Sequence, residues 1–227
     1  MLDTTDPLSA TAPIDCRRVN LLTELSESSV RAFQRIGVKR PYHDRQLVQQ
    51  RGDSADHALI VLSGRLRSMA HTVEGTEQLI RWMEAGEISG LSSVLANAPV
   101  PVDLIADGAT ELLLLPRELL LDLLLHDAGA CLVMARVLSL RVNELFDVVF
   151  TRASDNLSVR VWATLQRLAL ENGEPLSDGR TALQMSQTDL AHAVGASRQR
   201  VNEQLRQLQR SGRVRLGYGR LEVIEER

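Results

Sequence analysis

Cysteine and aromatic residues are scarce in this chain of 227 residues. The two cysteines, Cys16 and Cys131, exclude a disulfide scaffold and any metal or iron–sulfur site that is built on four thiolates. Because only 3% of the residues are aromatic, a core must consist mainly of Leu, Val, Ile and Ala. The 44% of hydrophobic residues is nevertheless enough for an ordinary folded core.

Long apolar runs are also missing. The most apolar stretches, Leu112–Leu115 and Leu119–Leu121, are far shorter than the roughly 18 residues that span a bilayer. Residues 1–15 carry three acids and no base, so they do not resemble a secretory signal. We therefore expect a cytoplasmic protein with reduced thiols and no membrane partner.

The first half of the chain alternates short apolar runs with turn signals. After a helix predicted over Leu21–Arg35, strand-length runs between Val38 and Leu115 recur about every ten residues. Turns are predicted between the runs, notably at Ser63-Gly64, Ala85-Gly86 and Asp107-Gly108. This spacing predicts an antiparallel β-sandwich or barrel.

Helical patterns follow Pro116. Short and long helices are predicted over Arg117–Leu125 and from Ala128 to about Ala153, and a third ends at Asn172-Gly173. Apolar residues on the long helix repeat at heptad spacing. They either pack on their own domain or form a dimer seam, and we favour a seam made of Met134, Leu138, Val142, Leu145 and Val149.

The segment Leu183–Ile224 carries the most specific pattern. Ser186 and Asp189 predict the start of a short helix, Gly195 a tight turn, and Ser197 the start of a second helix. Two runs around Gly217-Tyr218-Gly219 then predict a β-hairpin. Helix, turn, helix and hairpin together are typical of a winged helix-turn-helix that binds DNA.

The charge distribution agrees with this interpretation. The whole chain has a formal charge of only −3, which excludes a uniformly basic surface. Residues 184–220, however, contain seven arginines against two acids, a local charge of +5, and residues 1–183 carry −6. A basic module beside an acidic one is the electrostatic pattern of a DNA-binding domain joined to a non-binding domain.

Over essentially its whole length the chain resembles the Crp/Fnr family of bacterial transcription regulators. The resemblance lies in Gln187–Leu208, in Gly212–Arg215 of the hairpin, and in a glycine framework at Gly52, Gly64, Gly86 and Gly90. It implies an α+β fold: an antiparallel β-roll domain over residues 1–127, a dimerisation helix over 128–153 and a winged helix-turn-helix over 154–227. It also implies a homodimer that binds a double-stranded DNA operator and contacts RNA polymerase.

The resemblance assigns roles within the helix-turn-helix. Candidates for contacts with base edges are Ser197, Arg198, Gln199, Asn202 and Glu203, and candidates for phosphate contacts are Gln187, Arg200, Arg206 and Arg213. Well-known members carry Glu where Gln199 stands and Arg where Glu203 stands. We therefore expect an operator half-site that shares one guanine with the family consensus, read by Arg198, and differs elsewhere.

The effector cassette departs from the members that bind cyclic AMP. Those members carry Glu after the last framework glycine and Arg followed by Ser or Thr about ten residues later, whereas this chain has Leu91 and Pro101-Val102-Asp103. A carboxylate near the phosphate position would repel it, so no cyclic AMP binding is expected there. The corresponding effector-pocket candidates are Ser89, Leu91, Ser92, Val102, Asp103 and Leu145.

Other effectors are left open. Cys16 alone cannot hold an iron–sulfur cluster, the five histidines follow no haem pattern, which leaves haem a minority option, and no metal site is predicted. The alternatives are a nucleotide or other small molecule, cyclic di-GMP among them, or a ligand-independent regulator whose β-roll is a scaffold. No catalytic constellation or phosphate-cradling loop is present, so we predict that the protein is not an enzyme.

Overall fold

The structure is a computed structural model that describes residues 19–71, 77–152, 156–217 and 219–224. The chain divides into two compact units, an N-terminal unit that ends at Arg141 and a C-terminal unit that begins at Val142. This division falls inside the long helix, and the domain limits at 127/128 and 153/154 stay a prediction. Cys16 and Tyr218 lie outside the described residues.

The N-terminal unit is built on one antiparallel sheet. Its strands are β1 (Val38–Tyr42), β2 (Leu47–Gln49), β3 (His57–His71), β4 (Glu77–Glu84), β5 (Ile88–Ser89) and β6 (Asp103–Pro116). The order along the sheet is β1-β6-β3-β4, while β2 also pairs with β6 and β5 with β3. Mixed helix and antiparallel sheet confirm the predicted fold class.

Five helices accompany this sheet along the chain: α1 (Leu21–Glu24), α2 (Glu27–Ile36), α3 (Leu91–Ala96), α4 (Arg117–His126) and α5 (Ala128–Arg152). The single helix predicted over Leu21–Arg35 is wrong, because the backbone is extended at Leu25 and Ser26. The Ser26 hydroxyl instead caps α2 by accepting from the Ser29 amide at 3.1 Å. Asp127 joins α4 to α5, and its carboxylate accepts from the Ala130 amide and the Ser29 hydroxyl.

The turns predicted at Ser63-Gly64 and Asp107-Gly108 are also wrong. Both glycines lie inside long strands, β3 and β6, and both have positive φ. The pairing of these strands shifts register here, from Ser63 opposite Glu111 to Arg65 opposite Asp107. The strands therefore bend together at a bulge, and Gly64 is required because a Cβ would lie 2.3 Å from the Ala109 carbonyl oxygen.

Two apolar clusters form the core of the N-terminal unit. One lies within the sheet and is formed by Tyr42, Leu59, Val61, Leu66, Met83, Leu104, Ala106 and Leu112. The other joins the sheet to α1–α5 and includes Leu21, Phe33, Ile60, Ile88, Leu91, Leu120 and Met134. Aliphatic residues supply most of both, as the scarcity of aromatic residues predicts.

The C-terminal unit contains α6 (Leu157–Asn172), α7 (Gln187–Val194) and α8 (Arg198–Arg210). Its sheet has the strands β7 (Glu174–Pro175), β8 (Arg180–Leu183), β9 (Val214–Gly217) and β10 (Arg220–Ile224), in the order β7-β8-β10-β9. Asn156 caps α6, which ends at Asn172 as predicted.

Among the described residues no single helix is long and apolar enough to cross a membrane. The pair Arg117–His126 and Ala128–Phe146 meets the same test of length and composition only when the two pieces are taken together across the sharp bend between them.

Candidate nucleic-acid interface

Helices α7 and α8 form the predicted helix-turn-helix. Ser186 and Asp189 make a reciprocal capping box at the start of α7, with the Asp189 amide 3.1 Å from the Ser186 hydroxyl. Gly195 ends α7 in the left-handed conformation (φ 70°), and its amide donates to the Ala191 carbonyl at 3.0 Å. Ser197 then caps α8.

Apolar side chains lock these two helices together. The buried set is Leu190, Ala191, Val194, Val201, Leu205 and Leu208, of which Leu190, Val201 and Leu205 are fully inaccessible. The opposite side of α8 is consequently turned to solvent.

Four of the five predicted base-reading residues are exposed: Ser197, Arg198, Gln199 and Glu203. Asn202 differs, because it is half-buried and its Oδ1 lies inside the protein without a partner in the described part of the chain. The carboxamide of Asn202 is therefore less accessible to a base edge than the four exposed side chains.

The predicted phosphate-contacting residues fall into two groups. Arg200 and Arg206 are exposed on α8 and free to extend, whereas Gln187 is half-buried at the start of α7. Arg213 is half-buried, with its guanidinium carbon 5.5 Å from the centre of the Trp162 ring. This cation–π contact holds Arg213 against α6 and reduces its reach toward a ligand.

The hairpin β9–β10 is the predicted wing, with Arg220 opposite Gly217 at its end. Arg220 and Arg180 both form ion pairs with Glu222, so part of the positive charge counted in the sequence is neutralised within the wing. Arg215 is exposed on β9 and was not singled out by sequence. The sequence shows that Arg215 is charged, but it does not show which arginines of this segment are exposed and which form ion pairs.

The N-terminal unit holds most of the predicted effector pocket. Leu91 is buried in the cluster that joins the sheet to the helices. Ser89, two residues earlier, is also buried. Val102 packs against the cluster within the sheet. Ser92 is exposed, and Leu145 is exposed in the C-terminal unit. The cassette positions are thus filled largely by side chains that contribute to the core.

Asp103 is buried and already bound. Its carboxylate accepts from the Arg51 amide at 2.6 Å and lies 3.2 Å from Nδ1 of His71. It therefore connects Arg51, after β2, and His71, at the end of β3, to the start of β6. Within the described ranges, no group of three His, Cys, Asp or Glu side chains could hold a metal ion.

The residues that α5 exposes are only partly those of the predicted dimer seam. Met134 is only 1% exposed and Leu138 is half-buried, since both pack into the core of the N-terminal unit. Met134 is therefore not on the exposed side of α5, and the seam itself stays a prediction. The exposed stripe, as we call it below, instead consists of Leu132, Ala135, Ser139, Val142, Phe146 and Val149, which keep heptad spacing.

Comparisons with known proteins match both units. The family model of the cyclic nucleotide-binding domain matches residues 39–127, and that of the Crp-like helix-turn-helix domain matches residues 159–227. The cyclic AMP receptor protein of Thermus thermophilus is 28% identical over 187 residues, which cover 82% of this chain and 84% of that protein. The transcriptional regulator SdrP of the same organism is 27% identical over 176 residues, or 75% of this chain and 80% of the relative.

Among solved structures, the c-di-GMP-responsive global regulator CLP of Xanthomonas campestris has a TM-score of 0.77 and 24% identity, covering 88% of this chain and all of that one. At this identity the likeness concerns the fold.

Proposed function

The chain belongs to the Crp/Fnr family of DNA-binding transcription regulators, and from this premise we propose that it acts as a homodimer that reads a two-fold-related operator and contacts RNA polymerase. The observation that carries the proposal is the solvent-exposed side of α8. It presents Arg198, Gln199, Glu203 and Arg206 on a helix that the Gly195 turn holds against α7. A helix held this way fits the DNA major groove.

The exposed side chains suggest how bases are read. The Arg198 guanidinium can bind guanine O6 and N7 together, the Gln199 amide suits adenine, and the Glu203 carboxylate can accept from cytosine N4. Asn202 and Ser197 complete the proposed set. Of the proposed phosphate contacts, Arg200 and Arg206 are better supported than Gln187 and Arg213, because both are exposed and neither is stacked on a ring.

The exposed stripe on α5 supports the homodimer. Leu132 is 72% exposed and Val149 60%, an unusual amount of apolar surface for one helix of a monomer. The stripe repeats every three and four residues, as two helices that pack together require, and small residues at Ala135 and Ser139 would allow close approach. Val142, Leu145 and Val149 remain proposed dimer contacts, and Leu132 and Phe146 join them.

We propose an effector other than cyclic AMP. Leu91 is buried in the core where other members place a ribose-binding carboxylate. The carboxylate of Asp103 would repel a phosphate. The same filled cassette supports the second candidate, a ligand-independent regulator. Cyclic di-GMP is the nucleotide to test first, since the structurally similar Xanthomonas campestris regulator responds to it.

Fluorescence anisotropy with the DNA upstream of the protein's own gene tests the function. We expect binding that exceeds the binding of unrelated DNA by about a thousandfold or more and that weakens steeply as salt is raised. Equal affinity for both DNAs, or no salt dependence, would contradict it. Calorimetry in the same buffer tests the effector: cyclic AMP at micromolar concentration should give no binding heat.

A further inference from the structure

A buried ion pair, which the sequence pattern did not predict, lies in the sheet of the N-terminal unit. Arg81 lies on β4 directly before Trp82 and Met83, which are both buried. Its side chain is only 12% exposed, and its guanidinium donates to the carboxylate of Glu87, which is 5% exposed. Each charge would be costly to bury without the other.

This ion pair fixes the turn between β4 and β5. The second carboxylate oxygen of Glu87 accepts from the Glu84 amide at 2.7 Å. The Glu87 carbonyl accepts from the Val61 amide at 3.0 Å, and the Gly86 amide donates to the Val61 carbonyl at 2.8 Å. Glu87 is thus held through its side chain and its backbone to two strands.

Ile88, the residue after Glu87, is hydrogen-bonded to the long helix α5. Ile88 pairs with Ile60 in the sheet, and its carbonyl accepts a hydrogen bond from the guanidinium of Arg141 on α5. A second arginine of α5 offers a comparison: Arg136 forms an ion pair with Glu24 at 2.8 Å, but both side chains are well exposed. Arg141, in contrast, bonds to the residue that follows Glu87, next to the turn that the buried pair holds in place.

We propose that Arg81, Glu87 and Arg141 form one fixed link that positions α5 against the β-roll. In this link the ion pair sets the place of the Ile88 carbonyl, and Arg141 holds the helix to that carbonyl. The link ties the roll to the helix that carries the exposed stripe. Its effect on DNA affinity rests on the proposed function above, whereas its effect on the helix does not.

Hydrogen exchange of the full-length protein tests the link directly. In Arg141→Gln we expect the amides of α5 between residues 132 and 141 to exchange about ten to a hundred times faster, because a hydrogen bond to a charged group is lost. The matched control Arg136→Gln loses an exposed ion pair on the same helix and should change exchange less than about fivefold. The double variant Arg81→Met/Glu87→Gln removes both buried charges, keeps an acceptor for the Glu84 amide, and should act like Arg141→Gln.

Operator affinity of the same proteins, freed of small molecules by refolding, supplies the second measurement. We expect Arg141→Gln to weaken binding about tenfold and Arg136→Gln to leave it nearly unchanged. The link is overturned if Arg141→Gln exchanges no faster than Arg136→Gln, or if exchange rises while affinity stays at the level of the control. If the unmodified protein binds no operator while exchange still rises, the proposed function fails and the link to the helix stands.

Far-UV circular dichroism checks that each variant is folded. Should Arg141→Gln fail to fold, Arg141→Lys replaces it, because lysine keeps the charge with a single donor group that meets the carbonyl less well. Faster exchange in that variant supports the link, and exchange like that of the unmodified protein overturns it.

Discussion

Arg198 is the residue whose loss should reduce sequence discrimination most. Its guanidinium is exposed at the first position of α8, and a bidentate contact with guanine contributes about 1–3 kcal/mol of discrimination. We expect Arg198→Ala to reduce the ratio of operator to unrelated-DNA affinity by about five- to a hundredfold. Anisotropy with operators that carry single base changes should show that the variant no longer distinguishes the guanine.

The control for this change lies on the same helix. Arg206→Ala removes an exposed arginine that we assign to phosphate, so it should weaken binding to every DNA sequence alike. If Arg198→Ala keeps the footprint and affinity of the unmodified protein, the assignment of α8 as the base-reading helix is wrong.

His57 should make the stability of the N-terminal unit sensitive to acid. Burial at the start of β3 is the main cause that lowers the pKa of His57 below its ordinary 6.5, with Arg40 acting in the same direction against Asp56 and Asp53. The unfolded chain therefore binds the proton more readily than the folded one as the pH falls through 6.5. The free energy of unfolding should fall with pH from that point until the lowered pKa of the folded state is reached.

Urea denaturation at pH values on either side of 6.5 measures the effect. His57→Gln, which cannot be protonated, should lose less stability on acidification than the unmodified protein. His126→Gln is the matched control, since His126 is an exposed histidine at the end of α4. A pH dependence that is the same in the His57→Gln protein and the unmodified one would show that burial of His57 does not couple to folding.

At the scale of elements, the exposed stripe on α5 predicts where dimerisation can be broken. Val142 is 50% exposed, so Val142→Glu should leave the fold intact while placing two like charges in the seam. Loss of about 1.5–3 kcal/mol of apolar burial from each protomer should raise the dimer dissociation constant by about a hundredfold or more. Analytical ultracentrifugation over a range of protein concentrations measures this change.

Asn143→Glu introduces the same charge at the neighbouring exposed position, which lies off the stripe, and should leave the dimer intact. An unchanged dimer in Val142→Glu would show that the stripe is not the seam.

Elements whose ends are marked by local chemistry were predictable from the sequence. The capping box of Ser186 and Asp189, the left-handed Gly195 and the cap at Ser197 all act within a few residues, so α7 begins and ends, and α8 begins, where expected. The register of the stripe was not predictable, because Met134 and Leu132 are equally apolar and only the packing of α5 on the N-terminal core decides which is buried. Gly64 likewise suggests a turn in the sequence, because the bulge that it allows depends on the pairing of β3 with the distant strand β6.

At the scale of the whole molecule, the charge distribution was the sequence feature that led to the function, but not every charge serves DNA. Arg213 is stacked on Trp162, and Arg220 and Arg180 are paired with Glu222. The buried pair of Arg81 and Glu87 was hidden for a related reason. Its two members are six positions apart, and only the turn after β4 brings the side chains together.

The salt dependence of operator binding should reveal how many recognition helices bind at once. The logarithm of the association constant falls with the logarithm of the salt concentration with a slope of about −0.9 for each neutralised phosphate. Arg206→Gln removes one proposed phosphate contact from each protomer. If both recognition helices of a dimer bind DNA, the magnitude of the slope should therefore fall by about 1.8. If one recognition helix binds, it should fall by about 0.9.

Arg210→Gln gives the matched comparison, since Arg210 is exposed in the last turn of α8, far from the end that carries Arg198. Its slope should stay close to that of the unmodified protein. If Arg206→Gln and Arg210→Gln change the slope equally, the positive charge acts as a diffuse field rather than through the contacts proposed for α8. A change of about 1.8 in Arg206→Gln alone would tie the basic C-terminal unit to a dimer that engages two half-sites together.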